Sequence, residues 1–522
     1  MSDLKSVSGE VKSIIIVGGG LSGWMTAMYL NHYYNQQHHH IKITLIDRLD
    51  NANIGIGEAS LPSIRFFFAA MGLDENELLR ETNATIKSGI LFKHWQPANS
   101  NEPHQFFHPY DHVKLAPGMD MATHWLLNQC QNIQRFDQGT SISSHLMTHG
   151  QTPKTASCHA YEGVVPYGYH FDATLMFRYL RKKAVAAGVE HIETHVNKVN
   201  CHQQNITGVV TELGELTADF YIDCTGAKGL LMSALDTSNW QSLADKFSCN
   251  QAIVKQVAYH ENEVPKTYTQ VTAMKYGWAW QIDLVNRKGI GYVFDNRFIS
   301  DGQAEKELLS LIDEQAQVLK SHQLSMSLGM RNQHWQGNCV AIGLSGSLLD
   351  PLEATGLHLV HTGVSLLATH LSSSTINPST VAAYNRAMQK ECKALIAFID
   401  IHYRLCNRDD TPFWQQNSVQ PKKSTDTENL IQLWQHKVCE QADLLSFTSN
   451  TFSEDDYRFI LYGMLHFPQL KIPVNKESSE QIFVKFENKV SQMLKDTLSH
   501  KDFLQQLHDM PLAEIAQLWS SR

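Results

Sequence analysis

Lys87, Glu353, Trp278 and Trp280 are the side chains whose settings invite chemistry in this sequence. Lys87 lies in TIKSGILF (85–92). On a strand, Ile86, Ile90 and Phe92 would share one face and Lys87 and Gly89 the other, with Gly89 leaving room beside the amine. A strand lysine is ordinarily solvated; an enclosed one serves as hydrogen-bond donor or nucleophile. Glu353 lies in PLEATG (351–356), ahead of a helical pattern through Val360, Val364, Leu367 and Leu371. A carboxylate there ordinarily compensates the helix dipole; a buried one can take a proton from substrate. The amides of Thr355, Gly356 and Leu357 at that helix start suit an anion. Trp278 and Trp280, in GWAWQI (277–282), stand two residues apart. A strand would set both indoles on one face as a rigid apolar wall, or simply as core.

The elements that must position these groups begin with a nucleotide loop. SIIIV (13–17) reads as a buried parallel strand, and Gly18-Gly19-Gly20-Leu21-Ser22-Gly23 opens a helical pattern through Trp24, Ala27, Met28 and Leu30. Gly18 permits the tight turn, Gly20 lets a pyrophosphate approach, and Gly23 lets helix and strand pack closely. A second strand (41–47) ends in Asp47, an acid suited to ribose hydroxyls, with Arg48 next to it. Later strands end at Thr225-Gly226 and at Gly343. This order resembles FAD-binding enzymes of the hydroxylase type, although Leu344 stands where that class typically has Asp.

Composition narrows the class. The chain has 522 residues, 43% hydrophobic and 18% charged, with a net charge of −9. That length implies more than one domain or one elaborated α/β unit. The charge argues against a nucleic-acid partner. No apolar run is long enough to span a membrane, and the first residues lack a signal-peptide core. Nine cysteines without paired spacing fit a reduced, cytoplasmic protein. The run His38-His39-His40 reads as a solvated loop, and no metal is expected.

Taken together, the motifs resemble the flavin-dependent tryptophan halogenase family over most of the chain. They run from GGGLSGW (18–24) and GIGEAS (55–60) through TIKSGILFKHW (85–95), FFHPY (106–110), YHFDA (169–173) and DCTGAKGLL (223–231) to GWAWQI, PLEATG and RDDTPFW (408–414). The resemblance implies a reaction. A separate NAD(P)H-dependent flavin reductase supplies FADH2, which with oxygen oxidises chloride or bromide held at Thr355 and Gly356 to hypohalous acid. The acid passes through a tunnel to Lys87, which hydrogen-bonds it or becomes a haloamine. Glu353 stabilises the cationic arene or removes its proton. Trp278 and Trp280 wall the substrate off, and His108 and Tyr110 line its pocket. The strap carrying Gly57, Glu58 and Ala59 joins the two sites, and Gly343 and Leu357 complete the cofactor set. Ala354 replaces a family serine, and Asp283 the proline that often follows the tryptophan motif. Between RDDTPFW and Tyr462, Phe447, Phe452, Glu454, Asp455, Asp456 and Tyr457 supply no evident amino-acid clamp. An indole-type arene is therefore expected rather than free tryptophan. An aromatic hydroxylase is the alternative.

The fold class expected is α/β. A Rossmann-like FAD-binding unit of the hydroxylase and glutathione-reductase type spans residues 1–410, with a substrate-side β-sheet inserted at 245–330. A mainly helical C-terminal region is expected over 411–522, with the boundary in the polar stretch 415–428. A homodimer is left open.

Overall fold

A β-branched run flanked by a glycine loop folds as its pattern predicts. In the computed structural model, which describes residues 10–35, 41–48, 57–97, 103–113, 120–127, 135–371, 376–419, 425–445, 449, 451–470 and 476–509, Ser13–Val17 is an inner strand of a six-stranded sheet. It pairs in parallel with Lys42–Asp47 and Phe220–Asp223. Glu190–Glu193 and Cys339–Ala341 continue the parallel order, and Trp335–Gln336 closes one edge antiparallel. Ile14 and Ile16 face one apolar core, Ile15 and Val17 another. A strand covered on both faces needs an unbroken apolar run rather than alternation. The helix Leu21–Asn35 follows the loop and packs on the helices Ala173–Ala186 and Gly356–His370. This is the doubly wound α/β arrangement expected. His38–His40, Gly55 of the strap motif and Phe447 lie outside the described residues.

A second, seven-stranded sheet carries the tryptophan motif. Its order is Val318–Ser325, Gln251–Val257, Lys288–Phe294, Gly277–Asp283, Thr269–Ala273, Gly89–Lys93 and Gln105–Pro109. Five strands thus come from residues 251–325 and two from the region around Lys87.

The segment 85–92 departs from the single strand expected. Thr85–Lys87 and Gly89–Lys93 are separate strands in different sheets, with the Ser88 amide donating to the Thr267 carbonyl between them. Gly89 does not make room for the amine. A Cβ there would stand 2.6 Å from the His108 carbonyl oxygen, so the glycine admits the neighbouring strand. Thr85–Lys87 instead joins a three-stranded sheet, antiparallel to Gly168–Asp172, whose other edge is the strap strand Gly57–Ala59. Ala59 and Thr85 both pair with His170, so strap and lysine strand are held in one register.

Beyond residue 425 the described chain holds the helices Thr425–Leu433, Glu454–Gly463, Lys476–Asp496 and His500–His508. One short strand, Thr497–Ser499, pairs with Gln151–Thr155. Glu454–Gly463 packs on Gln105–Pro109 and on the long helix Pro378–Leu405. Among the described residues no helix is long and apolar enough to cross a membrane.

Candidate active site

The glycine loop is shaped by backbone approach. Gly18 has φ +107°, and a Cβ there would run into the Cys224 carbonyl; at Gly23 it would run into the Gly18 carbonyl. Gly343 has φ +76° and lies against the Ser22 side chain, which ties the late element to the loop. Gly20 and Gly356 differ: no atom lies within 4 Å of where their Cβ would stand, and both are exposed. Each sits at the start of a 15-residue helix, where free N–H groups and the dipole suit anions. Close-packed glycines that fix the loop, beside bare ones that open onto free space, are what a bound dinucleotide requires, so the residues fit FAD. Asp47 at the end of its strand shares its carboxylate with His191 Nε2 (2.5 Å) and lies against Gly19. Leu344 is exposed beside Gly343. The half-buried Glu58 of the strap pairs with Phe171 along the strand ladder, and desolvation pushes its carboxyl up to about 7.

Lys87 is fully buried. Its ammonium donates to the Ser60 carbonyl at 3.3 Å and stands 5.3 Å from the Tyr110 ring centre. The Tyr110 hydroxyl donates to the same carbonyl at 3.3 Å. Ser60 follows the strap strand directly, and its own amide and hydroxyl are tied to Tyr169. Burial drives the Lys87 pKa down while the charge of Glu353 pulls it back, leaving it about 7. The amine therefore exchanges between charged and neutral forms near neutrality.

Glu353 is likewise fully buried, and it caps nothing. It ends the short 3-10 turn Pro351–Glu353, followed by Ala354 in the left-handed region at φ +55°. That kink releases the side chain from the helix start. His108 Nδ1 lies 3.1 and 3.2 Å from its two oxygens, and His402 Nε2 lies 2.7 Å from Oε1. Burial would raise its pKa, but the two imidazoles bring it down to about 2. On the far side His108 Nε2 meets Asp456 Oδ1 at 3.1 Å. Burial would lower His108; Glu353 and Asp456 outweigh it and hold the imidazole up at about 9. The expected pocket residue His108 is thus engaged at both nitrogens and offers neighbours only its ring faces. Phe398 and Phe452 stack at 3.8 Å beside it, and both rings contact the imidazole. Among the described residues no group of three or more donors converges as a metal site.

The tryptophans share a strand face as expected: Ala279 between them packs into a different cluster. Trp278 is buried, and its Nε1 donates to the Tyr403 hydroxyl at 3.0 Å. That hydroxyl donates to Asp350 at 2.9 Å. Trp280 lies over Gly289 and Gly291, and packs in one cluster with Ala59 of the strap and Ala354. His402 and Tyr403, neighbours on one helix, therefore grip both ends of the turn that carries Glu353. The sequence reading missed both, as it did Ser60 and Phe398. Their one signal was the pair His-Tyr, six and five residues before Arg408 of RDDTPFW.

Known proteins resemble this chain in sequence and in fold. The profile of the family described as tryptophan halogenase matches residues 13–480. The tryptophan 6-halogenase SttH of Streptomyces toxytricini is 30% identical over 458 residues, covering 83% of this chain and 86% of its own. The crystal structure of a tryptophan halogenase from Shewanella frigidimarina superposes with a TM-score of 0.88 at 28% identity, covering 97% of this chain and 98% of that one. BrvH, a flavin-dependent halogenase from Brevundimonas sp. BAL3, superposes with a TM-score of 0.84 at 27% identity, covering 95% and 99%.

Proposed function

The chain belongs to the tryptophan halogenase family and is a flavin-dependent halogenase, and we propose that it halogenates an indole-type arene with Lys87 and Glu353 as its catalytic pair. The family match sets the hydroxylase alternative aside. FAD, supplied reduced by a separate NAD(P)H-dependent flavin reductase, brings the oxygen activation that converts chloride or bromide to hypohalous acid. The loop 18–23, Asp47, the strap 57–59, Gly343 and the turn 355–357 would hold the cofactor, with the halide at Thr355 and Gly356. The same proposal puts the enzyme in the cytoplasm beside its reductase; a homodimer is compatible with it.

The observation that carries the reading is the complete burial of both Lys87 and Glu353, electrostatically coupled on one wall of aromatic rings. Hypohalous acid is diffusible, so a closed site makes its last polar contact the point of selection. Lys87 donates a proton to the departing hydroxyl as the oxygen–halogen bond breaks, giving water. The halogen bonds to an arene carbon, and that carbon's proton goes to Glu353. One proton leaves Lys87 and one reaches Glu353, so hypohalous acid and arene become haloarene and water with the enzyme's charge conserved. Trp280, between strap and Ala354, supports the role of the tryptophans as a partition.

The preference for indole over free tryptophan draws on the helix Glu454–Gly463. Asp455 is engaged by Arg458, His112 and the Val113 amide, and Asp456 by His108 and Ser453. These carboxylates are committed to the protein rather than to a substrate ammonium. The test supplies FAD, a heterologous flavin reductase, NADH, oxygen and bromide with either indole or tryptophan. Brominated indole by mass spectrometry, at a kcat/KM above that for tryptophan, is expected; the reverse order overturns the substrate assignment.

A further inference from the structure

We propose that Glu353, His108, His402 and Asp456 form one proton-sharing unit, in which Asp456 and His402 are positioning residues that keep Glu353 ionised and aimed. The inference rests on the reading of Glu353 as the proton acceptor. It follows from a count of protons. His402 Nδ1 lies 2.9 Å from the Phe398 carbonyl, which can only accept, so that nitrogen carries a hydrogen. His402 Nε2 faces Glu353, and the two nitrogens of His108 face Glu353 and Asp456. An ionised carboxylate only accepts, so each of these three contacts needs a proton of its own. The full set of four hydrogen bonds therefore holds four protons. Two neutral imidazoles hold two, and the extra two balance the two carboxylate charges. The unit as a whole is neutral, which is how four ionisable groups tolerate burial.

The arrangement has a direction. Glu353, His108 and His402 are fully buried, whereas the Asp456 side chain keeps 19% of its surface exposed. Asp456 also stands at the start of the helix Glu454–Gly463, where Oδ2 accepts from the Ser453 amide and hydroxyl. That helix is thereby wired to the catalytic carboxylate through a single ring. Among the described residues, the charged and titratable groups facing Glu353 are His108, His402, Lys87 and Tyr110; those facing His108 are Glu353, Asp456 and Tyr110. Asp456 is the one whose charge can be removed without touching the turn, the lysine or the aromatic wall.

The test is Asp456→Asn, whose amide oxygen can still accept from His108 but carries no charge. Histidine ring 15N NMR, with His108 assigned from the His108→Gln spectrum, should find that ring doubly protonated in the wild-type protein at pH 7. In Asp456→Asn the His108 titration should fall by about one to three pH units, the usual influence of an adjacent opposite charge. The kcat for halogenation should fall with it. Ser453→Ala removes the hydroxyl bond to Asp456 without neutralising it and should change neither; Asp456→Glu should restore the wild-type titration and kcat. A neutral His108 in the wild type, or equal shifts in Ser453→Ala and Asp456→Asn, overturns the unit. Undiminished halogenation by Glu353→Gln, with His108 doubly protonated in the wild-type protein, would overturn instead the reading of Glu353 as proton acceptor.

Discussion

In the proposed reading, the cofactor side of the molecule leaves phosphate recognition to the backbone, and the substrate side leaves its chemistry to side chains. Around the loop 18–23 the defining features are six consecutive residues, two helix starts and two bare glycines facing open space. Around Glu353 they are side chains 245 and 49 positions from it in sequence, with Asp456 a further 348 from His108. A phosphate-binding loop needs donors that are present in every peptide, so local chain geometry suffices. A buried ionised base needs compensating charge, which has to be brought from elsewhere in the fold. The strap is where the two kinds of site meet: its strand shares a sheet with the lysine strand, and Ser60 just beyond it accepts from Lys87.

If that division is real, the two sides should fail separately. Lys87→Ala should lower halogenation by about 10²–10⁴-fold, the range for losing a positioned proton donor, while leaving FAD affinity and oxidation of reduced flavin unchanged. Loss of flavin binding in that variant would break the comparison. Gly20→Val is the converse. A Cβ at this position has no other protein atom within 4 Å beyond its chain neighbours, so the unfolding midpoint of the cofactor-free protein should hold. FAD Kd should rise about tenfold or more, equivalent to ~1.4 kcal/mol. Unchanged FAD binding in Gly20→Val would show that the open space at that glycine is not cofactor space.

The same division explains what was legible in the sequence. The loop, its strand and helix, the later strands ending at glycine and the tryptophan strand were readable because periodicity and spacing are local properties. So were Lys87 and Glu353 as candidates, each inside a motif. What spacing could not show is that TIKSGILF breaks at Ser88 and sends its halves into different sheets, because that is decided by the Thr267 carbonyl and the neighbouring antiparallel strand of His108. Nor could it show that His108 serves Glu353 at one nitrogen and Asp456 at the other. A histidine two residues before a tyrosine on a strand has no sequence signature for partners on distant helices. In the sequence Asp456 enters only as part of an amino-acid clamp that 447–457 does not evidently supply; its cap bond to Ser453 belongs to a helix start, where acids are ordinarily dipole partners, and only the fold reveals the second bond, to His108.

A smaller effect sharpens the comparison at the point where the long helix holds the catalytic turn. The Tyr403 hydroxyl accepts from Trp278 and donates to Asp350, linking the tryptophan strand to the residue that opens the turn. Its neighbour His402 holds the residue that ends the turn. Consecutive helix residues point about 100° apart, so together they grip the turn from two directions. Tyr403→Phe deletes an oxygen while keeping the ring, and removes the acceptor of the buried Trp278 N–H. Denaturant unfolding should report a loss of about 1–3 kcal/mol, the penalty for an unmet buried polar group. FAD affinity should be unaffected, and halogenation should fall far less than in Lys87→Ala, because His402 still fixes Glu353 directly. A loss of activity rivalling that of Lys87→Ala, with stability intact, would mean that Tyr403 takes part in the chemistry itself, and the boundary between scaffold and reacting groups would have to be drawn one residue further along the helix.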